Sequence, residues 1–472
     1  MKNWVVGCAL LVSACGKSSS ESPPTATPPP KVVIPIVPDA AAPVTLGSSP
    51  VEVQFAAWLD AFNSQDPMKR DAYHQKNFPY AVASDDVNST DNEGRLAMAT
   101  GGFDVRKVEV SGNHVAVTMK ERHSPQLAKA EMDVDTAEPH RVTKFVIHPE
   151  MGTPELVPIG KAPPLDAAKK KDVIEGIAKQ IDAHYVYPEV GAKMNAAIRE
   201  HLAHGDYDKI VDGRELAMAL QNDLRDVSHD RHLHVDFGPP KPGAKGGEPN
   251  PDDMRAFAKR VGYGFGEVER MPDNIARIEI MGFPPIVDDE ARQAVADKMS
   301  QIADADAVIF DLRKNGGGSP ETVALFLSYV FGAKPVHVND MFIRETGKTE
   351  PSYTAGPELK GTRFGATKPV FVLTSKNTFS GGEEFTYDLQ TLKRATIVGE
   401  TTGGGAHPVD DHPIDVADGW FSIGVPFGRP INPVTKKDWE GTGVIPDVPV
   451  AADKALDKAI ELATAAVAKH KK

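Results

Sequence analysis

The chain has 472 residues, 40% of them hydrophobic and 25% charged, so its composition is ordinary for a globular protein and its length implies two or three domains rather than one core. A net charge of −13 argues against a nucleic-acid binder, which needs a basic face, and no nucleic-acid partner is expected. The two cysteines, Cys8 and Cys15, both lie in the first fifteen residues, which excludes a cysteine nucleophile and a cysteine-based zinc site from the body of the chain.

That opening stretch, MKNWVVGCALLVSAC, has one early charge at Lys2, an apolar run from Trp4 to Val12 and small residues leading to Cys15. The run is too short for a permanent membrane-spanning helix. It resembles a bacterial lipoprotein signal peptide, residues 1–14, with lipid attached at Cys15; an ordinary secretory signal cut nearby is the alternative. Gly16 is not aspartate, so the resemblance implies a lipid-anchored, membrane-attached protein of the cell envelope, at the outer membrane and facing the periplasm or the exterior. Residues 15–50, rich in Ser, Pro and Ala, cannot bury a core and read as a tether.

From Val51 the pattern changes. Phe55, Trp58, Leu59 and Phe62 recur at helical spacing, and FDVRKVEVSG, HVAVTMKE and HRVTKFVIHP alternate as strands between turn residues. Helix followed by antiparallel sheet predicts a small α+β domain over 51–155 that resembles the cystatin-like, nuclear-transport-factor-like fold. After the Pro-rich joint VPIGKAPPLD, a helical subdomain is expected over 165–240, with Ile174, Ile177, Ala178 and Ile181 on one apolar face and Leu216, Leu220 and Leu224 on another. HLHVDF reads as a strand and GPPKPGAKGGEPNPDD as a flexible loop. From residue 275 strands and helices alternate, which predicts an α/β layer structure over 241–472, closed by an alanine-rich helix over 452–470.

Three glycine-rich turns follow three predicted strands: DLRKNGGGSPE (311–321), TSKNTFSGGEE (374–384) and VGETTGGGAHP (398–408). None has the spacing of a phosphate-binding loop. Ser380 falls where strand becomes helix. It is either a helix N-cap in a tight connection or a nucleophile whose oxyanion meets the Gly381 N–H at a favourable helix terminus.

DLRKNGGG, TFSGGEEF, ATIVGETTGG and GVIPD, in this order, resemble the tail-specific (carboxyl-terminal processing) serine peptidase family, and HYVYPEVG and VSHDRHLHV resemble its branch with tricorn core protease and interphotoreceptor retinoid-binding protein. The resemblance covers about residues 165–465 and implies a crotonase/ClpP-like α/β core with an N-terminal helical subdomain. It implies a serine endopeptidase acting on unstructured polypeptide through an acyl-enzyme, with no cofactor and no metal. Where Ser–Lys members carry their lysine, this chain has TTGGGA, so a histidine must serve as base. The stretch between His232 and Ile275 is short for an inserted PDZ module, and none is expected.

The family's Asp-x-His pattern maps onto Asp230–Arg231–His232 and implies His232 as base, with His229 as the alternative because Ser228–His229 matches the Ser–His dipeptide of tricorn. Register before GVIPD implies Glu440 as the group orienting the base, with Asp438 beside it. The resemblance points to Gly317, or its neighbour Gly316, as the second oxyanion donor after Gly381. Glu383 and Glu384 are expected to stabilise the first helical turn. Two rival readings remain open at this point. The fold can carry an apolar ligand or a peptide without proteolysis, and the histidines of SHDRHLHV with HPVDDHP could ligate zinc.

Overall fold

The computed structural model describes residues 44–78, 93, 96–97, 100–122, 127–150, 165–211, 213–237, 251–416 and 419–470. The lipidation residue Cys15, the signal, most of the tether and the joint before residue 165 lie outside them. All of the described residues belong to one compact unit, Pro43–Lys472.

Helix α1 (Pro50–Asn63) starts at Ser49 and buries Phe55, Trp58 and Phe62 along one stripe; α2 (Pro67–Asn77) follows. Strands β1 (Phe103–Ser111), β2 (His114–Glu121), β3 (Leu127–Val134) and β4 (Val142–Glu150) pair antiparallel in sequence order. Along β3 every second residue points inward, and Ala128, Ala130, Met132 and Val134 pack with the α1 aromatics. Thus the three strand patterns read from sequence are present, with β3 added between them.

Three helices come next: α3 (Ala167–His184), α4 (Pro188–His204) and α5 (Gly213–Ser228). Asp166 caps α3 by accepting the Lys169 N–H at 2.8 Å, and Gly205, with φ +80°, ends α4 in the left-handed turn that glycine favours. The apolar faces foreseen at Ile174–Ile181 and Leu216–Leu224 meet in one buried cluster with β5 (His234–Phe237).

Several elements besides β3 were not foreseen, among them two that follow β5. Helix α6 (Pro251–Arg260) begins within the stretch expected to be loop, and β6 (Phe265–Met271) follows it. Both are short and rich in charged residues, with few apolar positions to mark them in the sequence. The rest of the chain forms β7 (Ile275–Ile280), α7 (Asp289–Ser300), β8 (Ala307–Asp311), α8 (Pro320–Leu327), β9 (His337–Ile343), β10 (Lys348–Tyr353), β11 (Val370–Thr374), α9 (Gly381–Thr391), β12 (Thr396–Gly399), β13 (Val409–Ile414), β14 (Phe421–Pro426), β15 (Gly428–Ile431), β16 (Val448–Pro449) and α10 (Ala455–His470).

The central sheet has the order β16-β12-β11-β8-β7-β6, parallel from β16 to β7, with β6 antiparallel at its edge. Strands β8 and β11 are buried at every residue, as expected of strands covered on both faces. One face packs on α7, α8 and α9, and the other on the alanine-rich α10. The architecture is mixed α/β. A small antiparallel sheet, β13-β14-β5, ties the α3–α5 unit to the segment that follows β12.

Candidate active site

Strand order explains why the three glycine-rich turns matter together. β12, β11 and β8 are neighbours in the parallel sheet, so the turns leaving their carboxyl ends lie side by side, the usual place for a site in such a sheet. They are bonded to one another: Phe379 N donates to Asn315 O at 2.9 Å, Gly403 N to Thr378 O at 2.9 Å and Thr378 Oγ1 to Leu312 O at 2.9 Å.

Ser380 is held between β11 and α9 with φ +51° and ψ −120°, a backbone conformation that a residue bearing a side chain rarely adopts. Such a conformation costs about 1–3 kcal/mol and persists only where its surroundings impose it, and it is typical of reactive positions. Its N–H donates to Glu383 Oε2 at 2.9 Å. The turn of β8 presses against it. A Cβ on Gly317, whose φ is +105°, would stand 2.6 Å from Ser380 Cβ and 2.8 Å from Gly381 N, so only glycine fits there.

Among the described residues the Gly381 N–H donates to no acceptor, while the Gly317 N–H is taken by Asn315 Oδ1 at 2.8 Å. Gly316 and Gly318 have N–H groups with no acceptor among the described residues, and Gly318 N lies 3.0 Å from the position a Gly381 Cβ would occupy. Asn315 is itself fully buried and anchored through its Nδ2 to Ile280 O at 3.0 Å.

Glu383 does more than cap a helical turn. Fully buried, it accepts four hydrogen bonds: Ser380 N (2.9 Å), Gly405 N (2.9 Å), Gly404 N (2.6 Å) and Thr402 Oγ1 (2.5 Å). Burial pushes its carboxyl up to about 7, against the pull of those donors. The carboxylate therefore fastens the turn after β12 to the backbone of Ser380.

The ring of His232 stacks on Phe379, the residue before Ser380, at 4.7 Å between centroids. A Cβ on Gly405 would come within 2.8 Å of His232 Cε1 and 2.1 Å of Phe379 Cζ, so Gly405 is where the two rings leave room only for a hydrogen. Arg231 reaches across to Gly403 O at 2.5 Å and lies over the Phe379 ring. One donor atom each of His232, Asp230 and Glu440 lies within 4.8 Å of the other two.

Behind them sits His407, only 2% exposed, whose Nδ1 is 2.6 Å from Asp230 Oδ2 and 3.6 Å from Glu440 Oε2. Asp230 also accepts the Tyr185 hydroxyl at 3.2 Å and the His232 backbone N–H at 3.1 Å. Glu440 accepts the Ala406 N–H at 2.5 Å. Burial opposes charge on all three groups. Even so, the imidazole of His407 holds the Asp230 carboxyl below its usual value. Burial and the nearby Asp230 push Glu440 up to about 8. Burial pulls His407 down, yet the bond to Asp230 and the charges of Asp230 and Glu440 carry it up to about 9.

The structure thus brings Ser380, Gly381, Gly317, His232 and Glu440 to one edge of the sheet. His229 is exposed at the end of α5 with φ +55°, and His234 is held by Asp411 at 3.0 Å and by the His232 carbonyl at 2.8 Å. Asp438 accepts the Glu440 N–H at 3.1 Å. His407, Tyr185 and Asn315 were not singled out as site residues by the sequence, and Asp230 entered it only as a motif position. Asn315 directly precedes a glycine run, and His407 stands two residues after another, at the head of the HPVDDHP stretch weighed for zinc. Asp230, His232 and Glu440 offer the donor types for a metal ion, but both Asp230 oxygens and Glu440 Oε2 already accept hydrogen bonds.

Residues 274–450 match the model of peptidase family S41, and residues 167–267 match that of the N-terminal domain of this peptidase in eukaryotic IRBP; the two spans together exceed half of the chain. Among solved structures the chain is similar to a lipoprotein from Streptococcus agalactiae, with 14% identity, 63% of this chain and 97% of that one covered, and a TM-score of 0.44. It is similar to the photosystem II D1 C-terminal processing protease (15% identity, 61% and 94% covered, TM-score 0.37). Similarity to the tricorn protease is 12% identity over 78% of this chain and 42% of that one, with a TM-score of 0.36.

Proposed function

We propose, for a chain that belongs to peptidase family S41, the tail-specific serine peptidases, and is a serine-type hydrolase of peptide bonds, that it is a cell-envelope endopeptidase cleaving unstructured polypeptide through an acyl-enzyme on Ser380. The observation that carries this reading is the strained Ser380 at the head of α9, with a Gly381 N–H that has no acceptor among the described residues and the His232 ring stacked on its preceding residue.

In this mechanism His232 takes the Ser380 hydroxyl proton as the oxygen attacks the scissile carbonyl, then returns it to the leaving amine. Glu440 orients the imidazole. The oxyanion is met by the Gly381 N–H, and α9 adds favourable potential from its N-terminus. For the second donor, Gly318 is better placed than the expected Gly317, because Asn315 holds the Gly317 N–H and Gly318 lies against Gly381. No step requires a cofactor or a metal.

The finer architecture follows the same reading: a crotonase/ClpP-like core over 241–472 without a PDZ module, the helical subdomain over 165–240, and a cystatin-like α+β domain over 51–155. Cys15 carries the lipid, and residues 15–50 tether the enzyme to the outer membrane. No described helix is long and apolar enough to cross a membrane. Covalent labelling by a fluorophosphonate, mapped by mass spectrometry, tests the chemistry: the adduct is expected on Ser380, and its absence from Ser380 overturns the reading. Intact mass and fractionation of Cys15→Ala test the anchor, where loss of lipid and release from the membrane are expected.

A further inference from the structure

We propose that His407 is a positioning residue for the peptidase reaction, its ring clamped between Asp230 and Glu440 so that the loop bearing the base and the acid that orients it are set by one buried group. The inference rests on the reading of Ser380 and His232 as nucleophile and base.

The geometry runs as a chain of contacts. Nδ1 of His407 donates to Asp230 Oδ2 at 2.6 Å, and the other oxygen of Asp230 accepts the His232 backbone N–H at 3.1 Å. His407 thereby acts on His232 through Asp230. The preceding residue, Ala406, donates its N–H to Glu440 at 2.5 Å, so two successive residues hold the two carboxylates. One and two residues earlier, Gly405 and Gly404 donate to Glu383, which accepts the Ser380 N–H. The six residues from Thr402 to His407 therefore touch all three parts of the machinery.

Charge gives the ring its purpose. Asp230 is 1% exposed at its side chain and Glu440 16%. Two carboxylates so close together in a buried place repel one another, and a cation between them relieves the repulsion. The groups that act on His407 are Asp230 from the turn after α5, Glu440 and Asp438 from the loop after β15, and the Tyr187 ring from the segment after α3; His232 and Tyr185 lie against Asp230, and Glu383 on α9 acts on Glu440. Burial opposes the charged form of His407, but the bond to Asp230 and the charges of Asp230, Glu440 and Asp438 favour it.

The test compares wild type with His407→Gln, which can keep a hydrogen bond to Asp230 but loses the charge. The readout is the pH dependence of fluorophosphonate inactivation, whose acid limb reports the base becoming neutral. Losing a cation near His232 strengthens that base's hold on its proton, so the limb should move to higher pH by roughly half to one unit. The maximal inactivation rate should fall about 10- to 100-fold, with the half-saturating probe concentration nearly unchanged. A ring that only fills space would lower thermal stability and leave the limb in place; an unmoved limb with an undiminished rate overturns the inference while labelled Ser380 keeps the peptidase reading. Wild type that fails to label overturns both. Should His407→Gln not fold, the ¹⁵N spectrum of histidine-labelled wild type decides: His407 is expected as imidazolium at pH 7.5, and a neutral ring there overturns the proposal.

Discussion

Helix α9 carries three buried acids, and its two sides treat them in opposite ways. On the side facing the site, Glu383 accepts four hydrogen bonds from three backbone N–H groups and one hydroxyl. On the other, Glu384 and Asp388 stand one helical turn apart and receive one amide each, from Asn339 at 3.1 Å and Asn432 at 3.3 Å. Burial raises Glu384 to about 7; burial and then the neighbouring Glu384 lift Asp388 well above its usual range. Equal burial therefore serves different ends. Burial raises all three acids, but Glu383 is tied by its four donors to Ser380 and the turn after β12, whereas Glu384 and Asp388 share a site with a single amide donor each.

The largest effect expected is on the site side. Ser380→Ala and His232→Ala should each lower kcat by about 10⁴-fold or more, and the double variant should be scarcely worse than either, because the two act as a unit. His229→Ala is the control and should remain folded and active. Abolished turnover in His229→Ala with a tolerated His232→Ala would transfer the base to the Ser228–His229 pair.

Next comes Glu383→Gln. Gln puts a donor where the carboxylate accepts two N–H groups, so kcat should fall roughly 10²-fold and Ser380 labelling should slow. If activity instead stays within about twofold, the contrast between the two sides of α9 has no catalytic content. Glu440→Gln should be milder than loss of the base, about 10- to 10²-fold in kcat, since serine and imidazole remain in place.

The opposite side gives the smallest effects on activity. Asp388→Asn should leave kcat within about twofold and raise the melting temperature at pH 8 by on the order of a few degrees. The sign follows from linkage: an acid whose folded-state pKa is raised destabilises the fold as pH climbs from its unfolded value toward its folded one. His407 acts in the same direction for a different reason. Its stabilisation is full below 6.5 and is lost as pH rises through about 9, so the wild-type melting temperature should fall over that window and the decline should flatten in His407→Gln. EDTA should leave activity unchanged; loss of activity restored by zinc would move the mechanism to a metal held by Asp230, His232 and Glu440.

Local pattern was enough to find the elements whose apolar residues repeat at a clear period. Ile174, Ile177 and Ile181, Leu216, Leu220 and Leu224, and the runs at β8 and β11 are all buried where periodicity put them. The glycines of the three turns were equally legible, because strand followed by glycines followed by helix is written in consecutive residues. Family resemblance then supplied Ser380, His232 and Glu440 from short motifs.

What only the tertiary structure decided is who meets whom. Asp230 and His407 are separated by 177 positions, and nothing local says that a histidine after a glycine run will lie 2.6 Å from that aspartate. Strand order decides it: β12 lies beside β11, and the small sheet β13-β14-β5 draws the loop before β5 onto the segment leaving β12. The same holds for Gly317, whose N–H is turned toward Asn315 by a backbone φ of +105° that its identity permits but does not specify. Chain order alone determined which chemical groups were present and what each could do. Their protonation and their partners depend on distances between distant segments and on the exclusion of water, and those exist only once the sheet has assembled.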